Sequence, residues 1–243
     1  MAQGRLYLVP AWLSEETPPE GVLPAPVLER VRALGAFVVE DAKSARRFLA
    51  ACGHPRPLRE IAMVELNEHT PAAAVAGMLA PALEGRDLGL LSEAGVPAVA
   101  DPGAALVREA HARGIVVVPL VGPSSIVLAL MASGLEGQRF RFVGYLPAEG
   151  AARRTAIGEL ERISARQRET QVFIETPYRN DALLADLLQA CRPGTRLAVA
   201  VDLTAPRESI AMRTIAAWRE EARPIGKRPA IFLLLAQGPQ GRE

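Results

Sequence analysis

Short apolar runs alternate with stretches of helical periodicity through the first half of the chain. Apolar runs at residues 6–9, 37–39, 61–64, 116–121 and a run ending at Leu91 are typical of buried strands. Between them, apolar positions recur every three or four residues, as on the inner face of a helix. This alternation predicts a mostly parallel sheet joined by right-handed helical crossovers.

The pattern restarts after Gln138. Residues 140–144, 171–175, 197–201 and 230–235 read as strands, 209–213 as an antiparallel partner, and 149–166 as a polar helix. We therefore expect two α/β domains, residues 1–121 with a mostly parallel sheet and residues 122–243 with a mixed sheet. A cleft between two such domains is a common ligand site.

Composition narrows the class of protein. The 243 residues are 49% hydrophobic, and the longest apolar runs, 126–132 and 230–236, are far shorter than the roughly 20 residues of a membrane span. The first residues lack a signal-peptide pattern, which indicates a cytoplasmic protein. Cys52 and Cys191 have no CxxC or histidine spacing around them, so we expect reduced, packed thiols and no metal site.

A net charge of +1 excludes the global basic field of many nucleic-acid-binding proteins. Local basic clusters occur at residues 43–47 and 153–168, and the ordinary interpretation of each is a solvated helix face.

Three turns at predicted strand ends contain the residues best suited to a ligand. They are residues 92–103, 122–125 and 176–180, and they bring glycines, serines and carboxylates to strand ends. Glu93 and Asp101 suit a cationic amine or ribose hydroxyls, although each turn taken alone is equally a plain turn or helix cap. The chain contains no GxGxxG, GxxxxGK[ST], GxSxG or HExxH motif, which disfavours the standard dinucleotide, triphosphate, hydrolase and metalloprotease functions.

Taken together, the turns resemble a known family. The matching segments are SEAGVP at 92–97, DPG at 101–103, VGPSS at 121–125, ASGL at 132–135, FVGYLP at 142–147 and FIETPYR at 173–179. They are similar to the tetrapyrrole methylase superfamily and, within it, to the branch that methylates ribosomal RNA. The resemblance implies two α/β domains, S-adenosyl-L-methionine (SAM) as cofactor and a homodimer. It also implies methylation of the ribose 2′-hydroxyl of a cytidine in 16S rRNA.

The resemblance also assigns cofactor contacts. It places Ser92, Glu93, Ala94, Gly95 and Asp101 beside the methionine and ribose of SAM, and Gly122, Ser124 and Ser125 at its amino-acid end. Contacts to the adenosine are expected from Tyr145, Leu146, Thr176 and Ala230.

The substrate side departs from the family pattern. The usual Thr-Pro-x-Gly-Asn-Leu turn after the first strand is replaced here by Val-Pro-Ala-Trp-Leu at 9–13, and the segment 65–69 is reordered. Candidate bases for a ribose hydroxyl are Glu65, Glu68 and His69, and candidate substrate contacts are Trp12, Lys43, Arg46 and Arg47. Methylation of a tetrapyrrole-like small molecule and non-catalytic SAM binding remain open as alternatives.

Overall fold

A computed structural model describes residues 3–221 and 223–237. The chain forms two compact units that divide between Ser124 and Ser125. The sequence pattern placed the boundary three residues earlier, after Val121. Each unit has its own sheet and hydrophobic core.

The N-terminal unit is built on a five-stranded parallel sheet. Its strands are β1 (Leu6–Val9), β2 (Ala36–Val39), β3 (Ala62–Glu65), β4 (Leu88–Leu91) and β5 (Val117–Pro119). They lie in the order β3-β2-β4-β1-β5, and every pair is parallel. All residues of β2 and β4 are buried, as expected for inner strands of a sheet covered on both faces.

Helices cover both faces of this sheet. They are α1 (Ala25–Ala33), α2 (Ala42–Ala51), α3 (Ala72–Val75), α4 (Ala80–Leu83) and α5 (Ala104–Ala112), with 3-10 turns at Pro19–Gly21, Leu58–Glu60 and Ala76–Leu79. Residues of α1 and α2 share one core cluster with β1 and β2, whereas α3, α4 and α5 share another with β4. Alternate residues of the strands supply the two clusters, so the sheet is a central layer.

The Thr-Pro pair at 70–71 predicts a helix capped by Thr70, and the structure differs from this prediction. Pro71 precedes α3, and the Thr70 hydroxyl accepts a hydrogen bond from the Asn67 amide at 3.0 Å instead of capping the helix. The helix then breaks into a 3-10 turn before α4. Pro81 lacks an amide hydrogen and crowds the preceding turn, which explains the break.

The C-terminal unit has a mixed five-stranded sheet. Its strands are β6 (Phe140–Tyr145), β7 (Thr170–Ile174), β8 (Arg196–Val201), β9 (Ser209–Thr214) and β10 (Ala230–Leu235), in the order β6-β7-β10-β8-β9. Only the β6–β7 pair is parallel, so the predicted mixed sheet and the antiparallel strand near 209–213 are confirmed.

The helices of this unit are α6 (Ser125–Ser133), α7 (Gly150–Gln167), α8 (Asn180–Ala190) and α9 (Ile215–Glu221), with a 3-10 turn at Pro177–Arg179. Helices α7, α8 and α9 pack on β7, β8 and β10 around the stacked rings of Phe173 and Phe232. Within the described part of the chain, no helix has the length and apolar character needed to cross a bilayer.

The arginine-rich helix α7 is not uniformly solvated. Arg153 is buried, and its Nε donates to Asp186 Oδ2 of α8 at 2.7 Å. The neighbouring Arg154 donates to the other oxygen of Asp186 at 2.9 Å. The interpretation of this cluster as a solvated face is therefore wrong for Arg153, because a buried carboxylate on the adjacent helix pairs with it.

Candidate active site

The loops that follow β1, β4 and β5 lie against one another, because parallel strands end at one edge of the sheet. The Ala11 amide donates to the Gly95 carbonyl at 2.8 Å, which joins the first two loops. Gly122, in the third loop, lies so close to the first that a Cβ on it would be 2.3 Å from Pro10. A Cβ on Gly95 would be 3.3 Å from Leu13. The turns singled out around Gly95 and Gly122 are therefore parts of one surface.

The loop from β4 to α5 is folded tightly around Asp101. One carboxylate oxygen of Asp101 accepts hydrogen bonds from the amides of Ala98, at 2.8 Å, and Gly103, at 2.7 Å. Gly95, Ala98 and Ala100 have φ values of 72°, 66° and 61°, in the left-handed region that L-residues rarely adopt. Asp101 thus holds the strained loop in shape with one oxygen, while its second oxygen makes no hydrogen bond within the described residues.

Several carboxylates lie at the edge of the N-terminal sheet where its strands end. The Glu93 amide donates to Glu40 Oε2 at 3.1 Å, which brings the loop after β2 beside the loop after β4. Burial raises the pKa of Glu93, and the negative charges of Glu40 and Asp41 raise it further. Burial also raises the pKa of Asp101, against the lowering effect of its two amide hydrogen bonds. Ionised carboxylates in this position favour a cationic ligand.

These residues fit the SAM expected from the family resemblance. SAM has positive charges at its sulfonium and ammonium groups, and the exposed Glu93 and the half-buried Asp101 supply negative charge. Among the described residues, neither the Glu93 carboxylate nor the second oxygen of Asp101 accepts a hydrogen bond. The buried Ser92 hydroxyl donates to the Ala94 carbonyl at 3.3 Å, so this serine shapes the loop. Ser124 is the last residue of the N-terminal unit, and Ser125 begins α6.

Residues assigned to the adenosine share one edge of the second sheet. Tyr145 ends β6 and pairs with Ile174 at the end of β7, and Ala230 begins the neighbouring strand β10. Thr176 follows β7 by two residues. Tyr145 is exposed, whereas Leu146 and Ala230 are buried. The C-terminal unit therefore brings all four assigned residues to the same end of its sheet.

Glu175 is the residue at this edge whose role the sequence pattern did not reveal. Its buried Oε1 accepts from the Thr176 amide at 2.7 Å and from Arg179 Nε and Nη2 at 2.9 and 2.6 Å. The other oxygen, Glu175 Oε2, is buried without a hydrogen-bond partner, as is Asn180 Oδ1. Both are acceptors that a donor group of a ligand or a water molecule would satisfy. An acidic residue at a strand end with an arginine four residues later was the available signal.

The predicted substrate contacts separate into packed and exposed residues. Trp12 packs edge-on against Phe48 with ring centroids 5.7 Å apart, so it contributes to the N-terminal core. Arg47 pairs with Glu15 of the loop after β1 at 2.9 Å. Lys43 and Arg46 are exposed on the outer side of α2.

The three candidate bases lie in two different environments. Glu65 ends β3, and its Oε1 accepts from the Ala42 amide at the start of α2 at 3.0 Å. Glu68 and His69 are 3.6 Å apart in the next loop, and each side chain is 86% exposed. The fold thus gives Glu65 a structural contact and leaves the Glu68–His69 pair open to solvent. Within the described residues, no group of three or more His, Cys, Asp or Glu side chains is arranged to hold a metal ion.

Comparison with known proteins identifies the family. Residues 25–217 match the family described as Tetrapyrrole (Corrin/Porphyrin) Methylases. A protein of Xylella fastidiosa (strain Temecula1) named "Ribosomal RNA small subunit methyltransferase I" is 35% identical over 86% of this chain and 73% of its own length. A protein of Escherichia coli O157:H7 with the same name is 30% identical over 100% of this chain and 80% of its own length.

Solved structures share the fold. "Crystal structure of the methyltransferase CobJ" matches with a TM-score of 0.64 at 18% identity, covering 96% of this chain and 94% of that one. "Crystal structure of uroporphyrin-III-C-methyltransferase from thermus thermophilus" matches with a TM-score of 0.55 at 21% identity, covering 96% and 92%. The predicted fold class is confirmed. The chain belongs to the tetrapyrrole methylase family and is a methyltransferase that uses SAM as its methyl donor.

Proposed function

We propose that this methyltransferase acts on the RNA of the small ribosomal subunit, at the ribose 2′-hydroxyl of a cytidine in 16S rRNA. The observation that carries the substrate class is the similarity to two proteins named "Ribosomal RNA small subunit methyltransferase I", at 35% and 30% identity over most of both lengths. The motif resemblance to the RNA branch supports the finer assignment of ribose and base.

In this proposal, the carboxylate edge of the N-terminal unit holds the charged part of SAM. Glu93 and the free oxygen of Asp101 face its cationic groups, with Ser92, Ala94 and Gly95 forming the turn beside them. Gly122, Ser124 and Ser125 take the amino-acid end, and Tyr145, Leu146, Thr176 and Ala230 the adenosine. The bound cofactor supplies a methyl carbon that its sulfonium group activates for displacement.

The remaining task of the chain is to orient the acceptor. Alignment of two reactants contributes about 7–11 kcal/mol to such a step, and a base that removes the hydroxyl proton adds about 10²–10⁴-fold. Among the candidate bases we propose the Glu68–His69 pair, because both side chains are open to contact with RNA. Glu65, already bonded to the start of α2, is then a positioning residue. Lys43 and Arg46 would contact RNA phosphates. Such contacts position the RNA on the protein but do not depend on its base sequence.

The test is methyl transfer from radiolabelled SAM to 30S subunits isolated from a strain that lacks this gene. We expect label in 16S rRNA, at a ribose that resists alkaline cleavage after the reaction. Label in a tetrapyrrole and none in RNA would contradict the proposed substrate. Binding of SAM without transfer to either would indicate the non-catalytic alternative.

The site assignment is tested separately by calorimetry with SAM. Glu93→Gln is expected to weaken SAM binding by about tenfold, since one charge interaction with a cation is lost. Glu29→Gln is a matched control, because Glu29 is exposed on α1 and has no partner in the described residues. Equal SAM affinity in both variants would remove Glu93 from the cofactor site.

His69→Gln is expected to lower the rate of methyl transfer about 10²-fold while SAM affinity is unchanged. Unchanged transfer in both His69→Gln and Glu68→Gln would exclude the exposed pair as the base and return the role to Glu65.

A further inference from the structure

A cavity in the C-terminal unit lies outside the residues assigned to the cofactor and the reaction. It has a volume of about 510 Å³ and is lined by residues of β8, β9, α9 and the segment 223–228. Small-molecule and nucleotide sites commonly have volumes of about 300–1,000 Å³. The cavity is therefore large enough for a ligand rather than only for water.

The floor of the cavity is largely apolar. It is formed by two cross-strand pairs on one face of the sheet, Val199 with Ala211 and Val201 with Ser209. The β9 members of these pairs, Ala211 and Ser209, have small side chains. A largely apolar floor of this kind suits the ring of a base.

Trp218 forms one wall of the cavity, and its indole N–H already has a hydrogen-bond acceptor within the protein. Its indole Nε1 donates to the Leu197 carbonyl at 2.8 Å, so the ring is fixed in orientation. The guanidinium of Arg213 lies over this ring, 5.3 Å from its centroid, and its Nη1 pairs with Glu221 at 2.6 Å. Arg213 is thereby held as a planar surface on which a nucleobase can stack.

Two further arginines line the rim of the cavity. The charge of Arg228 is compensated by Asp202, whereas no acidic side chain among the described residues pairs with Arg223. Arg228 donates to Asp202 at 2.6 Å and to the Arg207 carbonyl at 2.9 Å through two of its three nitrogens. Arg223 is exposed and makes no hydrogen bond or ion pair within the described residues. Guanidinium groups with free N–H donors are well suited to phosphate.

An apolar floor, a stacking surface and cationic groups at the rim match the parts of a nucleotide: a base and a phosphate. We infer that this cavity binds one unpaired nucleotide of the RNA substrate, distinct from the nucleotide that is methylated. The inference rests on the proposed RNA substrate, since a single strand of RNA presents this combination at every residue. The cavity lies beside the edge assigned to the adenosine, because Val201 of its floor pairs with Ala230. The cavity is then a second anchor for the RNA.

The test uses the full chain and a fluorescein-labelled single-stranded oligoribonucleotide, followed by fluorescence anisotropy. Arg223→Gln is expected to weaken binding about fivefold and to reduce the slope of log Kd against log salt by about 0.7, the effect of one phosphate contact to a single strand. Arg223→Glu is expected to weaken binding further. Ala211→Trp, which fills the floor, is expected to weaken binding with no change in the salt slope.

The control is Arg166→Gln on α7 of the same unit, an exposed arginine that does not line the cavity. It is expected to change neither the Kd nor the salt slope. SAM affinity measured by calorimetry shows that each variant is folded, and Arg223 variants that match the wild type in RNA affinity overturn the inference.

The two proposals fail in different ways. Suppose that the wild type methylates 30S subunits and that the Arg223 and Ala211 variants have the same RNA affinity and the same KM as the wild type. The cavity inference is then wrong and the proposed function stands. If the wild type methylates no RNA but still binds the oligoribonucleotide through Arg223, the proposed function is wrong, and the cavity binds RNA that is not a substrate of methyl transfer. Binding of cytidine monophosphate without binding of the oligoribonucleotide would overturn the RNA assignment of the cavity.

Discussion

Glu93 shows how one residue connects stability to ligand binding. Although Glu93 is an exposed residue, partial desolvation of its carboxylate raises its pKa, and the negative charges of Glu40 and Asp41 raise it further. An acid whose pKa is raised by folding destabilises the folded state when it ionises. The loss of stability is absent at pH values below the pKa of the carboxylate in the unfolded chain. It is complete at pH values above the pKa of the carboxylate in the folded chain.

Glu93→Gln is therefore expected to raise the melting temperature at pH 8 and to leave it unchanged below about pH 4. Thermal unfolding followed by circular dichroism at both pH values measures this difference. A variant with a lower melting temperature at pH 8 would show that the carboxylate has a stabilising partner. A higher melting temperature together with weaker SAM binding would indicate that the Glu93 carboxylate lowers the stability of the folded chain and raises its affinity for SAM.

The two cysteines illustrate the opposite case, in which burial removes reactivity. Both thiols are free and buried, as the sequence pattern predicts, and burial raises the pKa of Cys52 and of Cys191 to about 12. We expect neither thiol to react with a thiol reagent at pH 8 in the folded chain, and both to react in denaturant. Mass spectrometry after labelling counts the modified residues. Rapid labelling of either cysteine in the folded state would contradict its burial.

Among the secondary-structure elements, α7 and α8 are joined by a buried ion pair. Burial raises the pKa of Asp186, but the hydrogen bonds from Arg154 and Arg153 outweigh it, so the pKa lies below its usual value. Its contribution to stability is then present above the unfolded pKa near 3.9 and lost as pH falls through the folded pKa.

Asp186→Ala is expected to lower the free energy of unfolding by about 3–5 kcal/mol, because it leaves the buried Arg153 without a counter-charge. Arg154→Ala, which removes the more exposed partner, is expected to cost only about 0–1 kcal/mol. Urea unfolding at neutral pH measures both values. Equal effects of the two substitutions would contradict the assignment of the buried contact to Arg153.

Local patterns predicted the elements well and their long-range pairings less well. The apolar runs located the strands because inner strands of a covered parallel sheet are apolar at every position. The insertion of β4 between β1 and β2 has no local signal, since it depends on crossovers between segments far apart in the chain. The pattern predicts Thr70 as a helix cap, but its hydroxyl accepts a hydrogen bond from the Asn67 amide instead.

In the candidate site, too, local features were predicted from the sequence and long-range contacts were not. Glycine turns at strand ends identified residues 92–103 and 122–125, because a close backbone approach requires glycine whatever the rest of the fold is. The buried environment of Glu175 and the contact between Glu40 and Glu93 depend on strand order, which the local pattern does not contain.

At the scale of the whole molecule, exposed apolar side chains bear on the predicted homodimer. Met131 of α6 is 74% exposed and is the most exposed large hydrophobic side chain among the described residues. Val127, one turn earlier on α6, is 48% exposed, and adjoining exposed apolar side chains are typical of an interface, whereas a single one is not. Light scattering after gel filtration is expected to give a mass twice the 26.0 kDa of the chain, and Met131→Glu to lower it. A wild-type mass equal to one chain would contradict the dimer.

The strained turn between β4 and α5 has a consequence for engineering. Ala98 and Ala100 hold a left-handed backbone that costs an L-residue roughly 1–2 kcal/mol. Glycine adopts this backbone freely, so Ala100→Gly is expected to raise stability by the strain removed less the roughly 0.5–1 kcal/mol of extra chain entropy that glycine loses on folding. If the strained backbone holds the loop in its ligand-binding conformation, Ala100→Gly will also lower the turnover number. Directed evolution of a thermostable form would then have to stabilise other parts of the chain.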